Sequence, residues 1–105
     1  MAELISLDSP ALIEAVRIWS GFGECSWPTR DDSRLRSRLG FAEAERMLPI
    51  IKKLEADFYL SDAHLRASDL AEVGKLAKTE FQRLHPNVDE EIANIFVWCY
   101  TFDWK

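Results

Sequence analysis

The sequence is poor in the residues that interrupt helices or cross-link a chain. Its 105 residues include four glycines, four prolines and two cysteines. The scarcity of turn formers, with no Asn-Gly pair, argues against a hairpin-rich β protein. Cys25 and Cys99 are too few and too far apart for a disulfide scaffold. We therefore expect free thiols, with a single disulfide as the open alternative.

Long apolar runs are also missing. No stretch approaches the length of a membrane span, which predicts that the chain has no membrane partner. The first ten residues have neither a basic region nor an apolar core of the signal-peptide kind. We therefore expect no signal peptide and a cytoplasmic location.

The overall composition predicts a single globular domain over residues 1–105. Hydrophobic residues make up 48% and charged residues 30% of the chain, which is ordinary for a folded domain of this size. The formal net charge of −5 argues against nucleic-acid binding. It favours electrostatically steered binding to a basic protein.

Hydrophobic periodicity predicts an all-α fold, a compact bundle of about five helices. Ser9 and Pro10 are typical of a helix start, and Gly21 of the corresponding end. Residues 21–29 have no period and predict an apolar loop. A short helix should follow, beginning at Asp31 or Asp32 and ending before Gly40. The expected inward positions of the first helix are Leu12, Val16 and Trp19.

Two longer periodic segments follow. The third segment, residues 41–58, keeps its period on both sides of Pro49, which predicts one helix kinked at that proline. A fourth segment should be capped by Ser68, and Gly74 should let a neighbouring helix approach closely. Residues 62–67 predict a separate helical turn between these two segments. The expected inward stripes are Ala44, Met47, Leu48, Ile51, Leu54 and Phe58 in the third segment, and Leu70, Val73, Ala77, Phe81 and Leu84 in the fourth.

The last eleven residues contain five aromatic side chains at every second position. They are Phe96, Trp98, Tyr100, Phe102 and Trp104. Strict alternation is typical of a strand. However, Asn87 and Glu90 resemble a capping box, and Ile92, Ile95, Phe96 and Cys99 share one helical face. We therefore predict a central C-terminal helix, with residues 102–105 left open as helix, strand or docked tail and Trp104 as a candidate partner contact.

No pattern in the sequence predicts catalysis, a cofactor or a metal. His64, His85, Cys25 and Cys99 are suitable zinc ligands, but none has the short spacing of a zinc motif. Cys25 lies in the predicted loop and would need one of the two histidines as a base to act as a nucleophile. A small enzyme or ligand-binding domain that uses this loop is an alternative. The favoured interpretation is a half-buried thiol in a protein that is not an enzyme.

Three arginines spaced four residues apart form a basic helical face. Arg30, Arg34 and Arg38 lie in the segment 29–39, which carries a charge of +2 and leaves −7 on the rest of the chain. Such a face would suit phosphate or carboxylate, so a helical nucleic-acid binder is a second alternative. Pairing of these arginines with acids elsewhere in the fold is the favoured interpretation.

One flank of the fourth segment has the pattern of a small interface, with an apolar residue among charged ones. We call it the acidic flank, and it consists of Asp69, Glu72, Leu76, Glu80 and Arg83. Leu76 is either an anchor inside a polar rim or the edge of the core stripe.

In size, acidity and richness in Trp, the whole chain resembles the small helical immunity proteins of bacterial contact-dependent toxin systems. This resemblance implies a cytoplasmic inhibitor that masks the active site of a cognate toxin, often a basic nuclease. We therefore expect a protein-binding inhibitor whose contacts include the acidic flank and Trp104.

Overall fold

The computed structural model describes residues 6–104, and within that range the protein is all-helical with no strand. Five longer helices and one short turn of helix follow each other along the chain. Their bounds are α1 Pro10–Ser20, α2 Asp32–Leu39, α3 Phe41–Phe58, α4 Ala63–Arg66, α5 Leu70–Leu84 and α6 Glu90–Asp103. The predicted fold class is confirmed.

The first two helices begin and end where local chemistry predicts. The Ser9 hydroxyl accepts a hydrogen bond from the Leu12 amide, and Pro10 occupies the first turn of α1. Gly21 ends α1 with a φ of +80°, a conformation that costs glycine little. Asp31 caps α2 through the amide of Arg34.

Two predicted caps are wrong. The helix α5 is capped by Asp69, whose carboxylate accepts from the Glu72 amide at 2.8 Å, and not by Ser68. The helix α6 is capped by Asp89 at 2.8 Å from the Glu91 amide, and not by Asn87. In both places a carboxylate adds its charge to the positive end of the helix dipole.

The helix α3 runs unbroken through Pro49, so the prediction of one helix rather than two is confirmed. The bend lies at residues 59–62, just past the end of α3 at Phe58, whereas the kink was predicted at Pro49. There the amides of Leu60 and Ser61 bond to carbonyls three residues back, which tightens the chain into a turn.

The core gathers buried side chains from all six helices into one cluster, and α6 contributes six buried residues. The predicted stripes of α1 and α3 are buried in full. Phe58 of α3 packs against Phe81, Phe96 and Tyr100, with ring centroids 5.1, 5.8 and 5.6 Å away. The aromatic C-terminus is therefore a docked helix and not a strand.

The helix α5 packs on α6 at Gly74. A β-carbon at this position would lie 2.9 Å from Val97 Cγ1 and 3.1 Å from Thr101 Cγ2. The close approach predicted for this glycine is confirmed. The predicted stripe of α5 is wrong at its two ends. Leu70 and Leu84 are exposed, and of the five predicted residues only Val73, Ala77 and Phe81 are buried.

Candidate protein-interaction surface

The acidic flank lies along one side of α5, next to the buried stripe of that helix. Asp69 is the N-cap, and the other four members follow at helical spacing. Glu72 and Arg83 are exposed, whereas Leu76 is half-buried and packs against the core cluster. Leu76 is thus a core-edge residue with one side still accessible, so both interpretations of it describe part of its environment.

Glu80 connects the flank to α4. Its carboxylate accepts from Ser61 Oγ at 2.7 Å and from the Arg66 guanidinium at 2.6 Å. Arg66 also bonds to Asp62 at 2.7 Å. The negative charge of Glu80 is therefore compensated inside the molecule.

Most charges on the described residues are paired within the chain, but the surface of α5 is different. Within residues 6–104, six charged side chains make no ion pair: Asp8, Asp69, Glu72, Lys75, Arg83 and Asp89. Four of the six belong to α5 or to its cap. Charge on this helix is thus available to a partner.

Four exposed leucines lie on α5 or on the turn and short helix that precede it. Leu60 and Leu65 are 74% and 77% exposed, and Leu70 and Leu84 are also open. Leu60 and Leu84 line one groove, and exposed apolar groups that adjoin each other mark interaction sites. The other large apolar side chains that are exposed within residues 6–104 are aromatic: Trp27, Phe41 and Trp104.

A groove of about 420 Å³ joins the apolar and charged features. It runs between the end of α3 and the end of α5. Its lining includes Leu60 and Leu84, with Glu80 and Arg83 among the charged residues. The acidic flank therefore borders a depression that could accept an apolar side chain.

Trp104 packs against α4, the helix that adjoins the flank. Its ring stacks on His64 of α4, with centroids 3.7 Å apart and an interplanar angle of 9°. His64 Nδ1 lies 2.7 Å from the hydroxyl of Tyr100, which in turn donates to the Ser61 carbonyl at 2.8 Å. Trp104 is held in place but remains 48% exposed, so it can still touch a partner.

The three arginines of the predicted basic face are engaged inside the fold. Arg30 donates to Glu55 at 2.6 Å and to Asp103 at 3.0 Å. Burial alone would lower the pKa of Arg30, but its hydrogen bond to Glu55 and the nearby negative charges raise it overall. The structure thus favours internal pairing over a phosphate clamp.

The other two arginines of this face are also occupied. Arg34 bonds to the Ile18 carbonyl and to the Thr29 hydroxyl. Arg38 forms a two-pronged pair with Glu24, which lowers the pKa of that carboxyl. Arg34 is largely buried by its contacts, whereas Arg38 pairs with Glu24 at the surface.

Among the described residues, no histidine forms a hydrogen bond with Cys25. The half-buried thiol lies 3.5 Å from Arg34 Nη1. His85 Nε2 pairs with Asp57 at 2.7 Å, while His64 contacts Tyr100 and Trp104. Both histidines are thus engaged away from this loop. Residues 6–104 contain no group of three or more His, Cys, Asp or Glu placed to hold a metal ion.

The apolar side chains Leu60 and Leu65 were missed by sequence reasoning. Both residues fall outside the periodic stripes of α3 and α5, and this position is the feature of the sequence that could have indicated their exposure. Within residues 6–104, no helix combines the length and apolar character that a membrane crossing requires. The chain matches no family model, no curated protein and no solved structure.

Proposed function

We propose that this protein is a small inhibitor that binds a basic protein partner through the acidic flank and the adjoining turn of α4. The observation that carries the proposal is the coincidence of unpaired charge and exposed apolar surface around α5. Asp69 and Glu72 supply negative charge that no ion pair within residues 6–104 neutralises, and Leu60 and Leu65 supply apolar contact area. Charge of this kind speeds association, while buried apolar groups hold the complex together.

The class of partner follows from the resemblance to immunity proteins. In that class a cytoplasmic inhibitor covers the active site of a toxin, and a nuclease toxin has a basic substrate cleft. The net charge of −5 suits such a cleft. We therefore propose a toxin nuclease domain as the partner, masked by the acidic flank and Trp104, with the whole chain acting as one domain.

The test uses the neighbouring reading frames of the natural gene. A basic C-terminal toxin domain encoded there is purified, and its association with the immobilised inhibitor is measured at low and moderate salt. We expect a stable complex, loss of the toxin's activity, and an association rate that falls as salt rises.

The variant Asp69→Asn/Glu72→Lys tests the binding face. It keeps an N-cap side chain, since Asn caps as well as Asp, while it adds three units of positive charge. The matched control Glu43→Gln/Glu45→Lys makes the same charge change on α3. Association should slow about tenfold more in the flank variant than in the control. Equal slowing would exclude the flank as the binding face, and no complex with the basic domain would contradict the proposed function.

A further inference from the structure

Two opposite charges of the acidic flank lie at equal distances from its central residue, Leu76. Asp69 and Arg83 lie seven residues before and after Leu76. At the rise of an α-helix, that places the two charges about 10 Å on either side of Leu76. Within residues 6–104, neither charge has an ion-pair partner.

An arrangement of this kind is complementary to itself. If α5 of a second copy runs antiparallel across the flank, Asp69 of each copy faces Arg83 of the other. A two-fold axis then passes near Leu76, and the same contact forms twice. A parallel arrangement would instead place like charges together, which costs free energy.

The other two acids of the flank meet each other in this register. Glu72 then faces Glu80 of the second copy, a contact between two acids. The charge of Glu80 is already compensated by Arg66 at 2.6 Å, so this contact is not one between two bare carboxylates. Leu65 on α4, the helix linked to α5 by the Arg66–Glu80 pair, is 77% exposed.

We infer that two copies of this chain pair through the acidic flank, with their α5 helices antiparallel and Leu76 at the axis. In the dimer this contact covers the flank, so a partner that uses the same surface must displace the second copy. The inference goes beyond the proposed function, because it rests on the charge order of the flank and not on the identity of any partner.

The experiment measures the oligomeric state by sedimentation velocity. The full chain is studied from about 1 μM to about 1 mM, since an interface built from one helix and a short turn is smaller than a standard one and should be weak. We expect a concentration-dependent monomer–dimer equilibrium that weakens with salt.

Two charge variants test the register. Arg83→Glu and Asp69→Arg should each raise the dimer dissociation constant at least about tenfold, because each places like charges at both ends of the contact. An equimolar mixture of the two should recover the dimer, because at each end of the contact an acid then faces an arginine. The control Lys75→Glu changes an unpaired charge on α5 that lies outside the flank, and it should leave the equilibrium unchanged.

The outcomes separate this inference from the proposed function. A wild-type chain that stays monomeric at the highest concentration overturns the dimer but leaves the inhibitor proposal standing. Charge variants that dimerise like wild type, or a mixture that stays monomeric, overturn the antiparallel register. Because Asp69→Arg removes a helix cap, Asp69→Asn is measured as well. Because Asn keeps the cap, circular dichroism should show an unchanged fold. Because the charge that faces Arg83 is lost, the dimer should still weaken.

Discussion

At the scale of single residues, Tyr100 shows how a polar atom can be buried and keep its hydrogen bonds. The side chain is fully buried, and its hydroxyl lies between His64 and the Ser61 carbonyl. Because the hydroxyl donates its proton to Ser61, the hydrogen on the 2.7 Å contact must come from His64 Nδ1. One hydroxyl thus fastens α6 to the turn that precedes α4.

Replacing that hydroxyl should cost stability. We expect Tyr100→Phe to lower the free energy of unfolding by about 1–3 kcal/mol, since it leaves the Ser61 carbonyl and the His64 ring nitrogen without this partner. Urea denaturation at neutral pH measures the effect. Tyr59→Phe is the control, because the Tyr59 hydroxyl bonds Asp103 at a more accessible position and should cost less. An unchanged Tyr100→Phe protein would mean that water replaces the lost hydroxyl.

The histidine next to Tyr100 also illustrates why scattered ligand types need not form a site. His64 uses one ring face to stack on Trp104 and one nitrogen to bond Tyr100. Cys99 is buried in α6, and that burial raises the pKa of its thiol to about 12. Both residues have structural surroundings that their residue types alone do not reveal.

At the scale of elements, the packing of α5 on α6 depends on a missing side chain. Gly74 lies in the interior of α5, where glycine is a poor helix former. The gain is the close contact with Val97 and Thr101. Helix propensity and packing therefore act in opposite directions at this position.

We expect packing to decide the outcome of Gly74→Ala. The new methyl group should clash with Val97 at a cost of about 1–3 kcal/mol, which exceeds the gain in helix propensity of about 1 kcal/mol. Urea denaturation should show a net loss of about 1 kcal/mol.

A second substitution separates these two effects. Val97→Ala removes the methyl group that would lie 2.9 Å from the new β-carbon, so the double variant should lose less than the sum of the single variants. A Gly74→Ala protein more stable than wild type would show that α5 and α6 can separate at little cost.

At the scale of the whole molecule, ion pairs between elements link the helices to one another. Asp32 of α2 bonds Lys52 of α3 at 2.8 Å and accepts from the indole of Trp19 at 2.8 Å. Asp57 of α3 bonds Lys53 and His85. The hydrogen bond from Lys52, followed by that from Trp19, lowers the pKa of Asp32, and the bonds from Lys53 and His85 lower that of Asp57.

These lowered pKa values predict sensitivity to acid. A carboxyl whose pKa is lower in the folded chain contributes stability above its unfolded value, here 3.8. That contribution is lost as the pH falls through the folded pKa. Urea denaturation should therefore show a decline in stability below about pH 4. Asp32→Asn should flatten part of the decline, whereas an Asp8→Asn control should not, because Asp8 forms no ion pair within residues 6–104. An equally steep decline in both variants would assign acid sensitivity to other groups.

The sequence alone was sufficient for the fold class and for most helix positions. The stripes of α1 and α3 predict buried faces that the structure confirms, because burial of an amphipathic face follows directly from helical spacing. Caps were less certain at α5 and α6, where neighbouring polar residues compete for the same role. Local chemistry cannot decide between Ser68 and Asp69 until the path of the chain is fixed.

For the candidate surface, too, the sequence predicted one part and the tertiary structure decided the rest. The sequence determined the acidic flank as a set of residues on one face of a helix, since its five members follow helical spacing. Only the tertiary structure decided that Glu80 is paired, that Asp69, Glu72 and Arg83 form no ion pair within residues 6–104, and that Leu60 and Leu65 are exposed. The physical reason is that periodicity fixes which side chains share a helix face. Charge pairing and exposure depend on which other helices pack against that face.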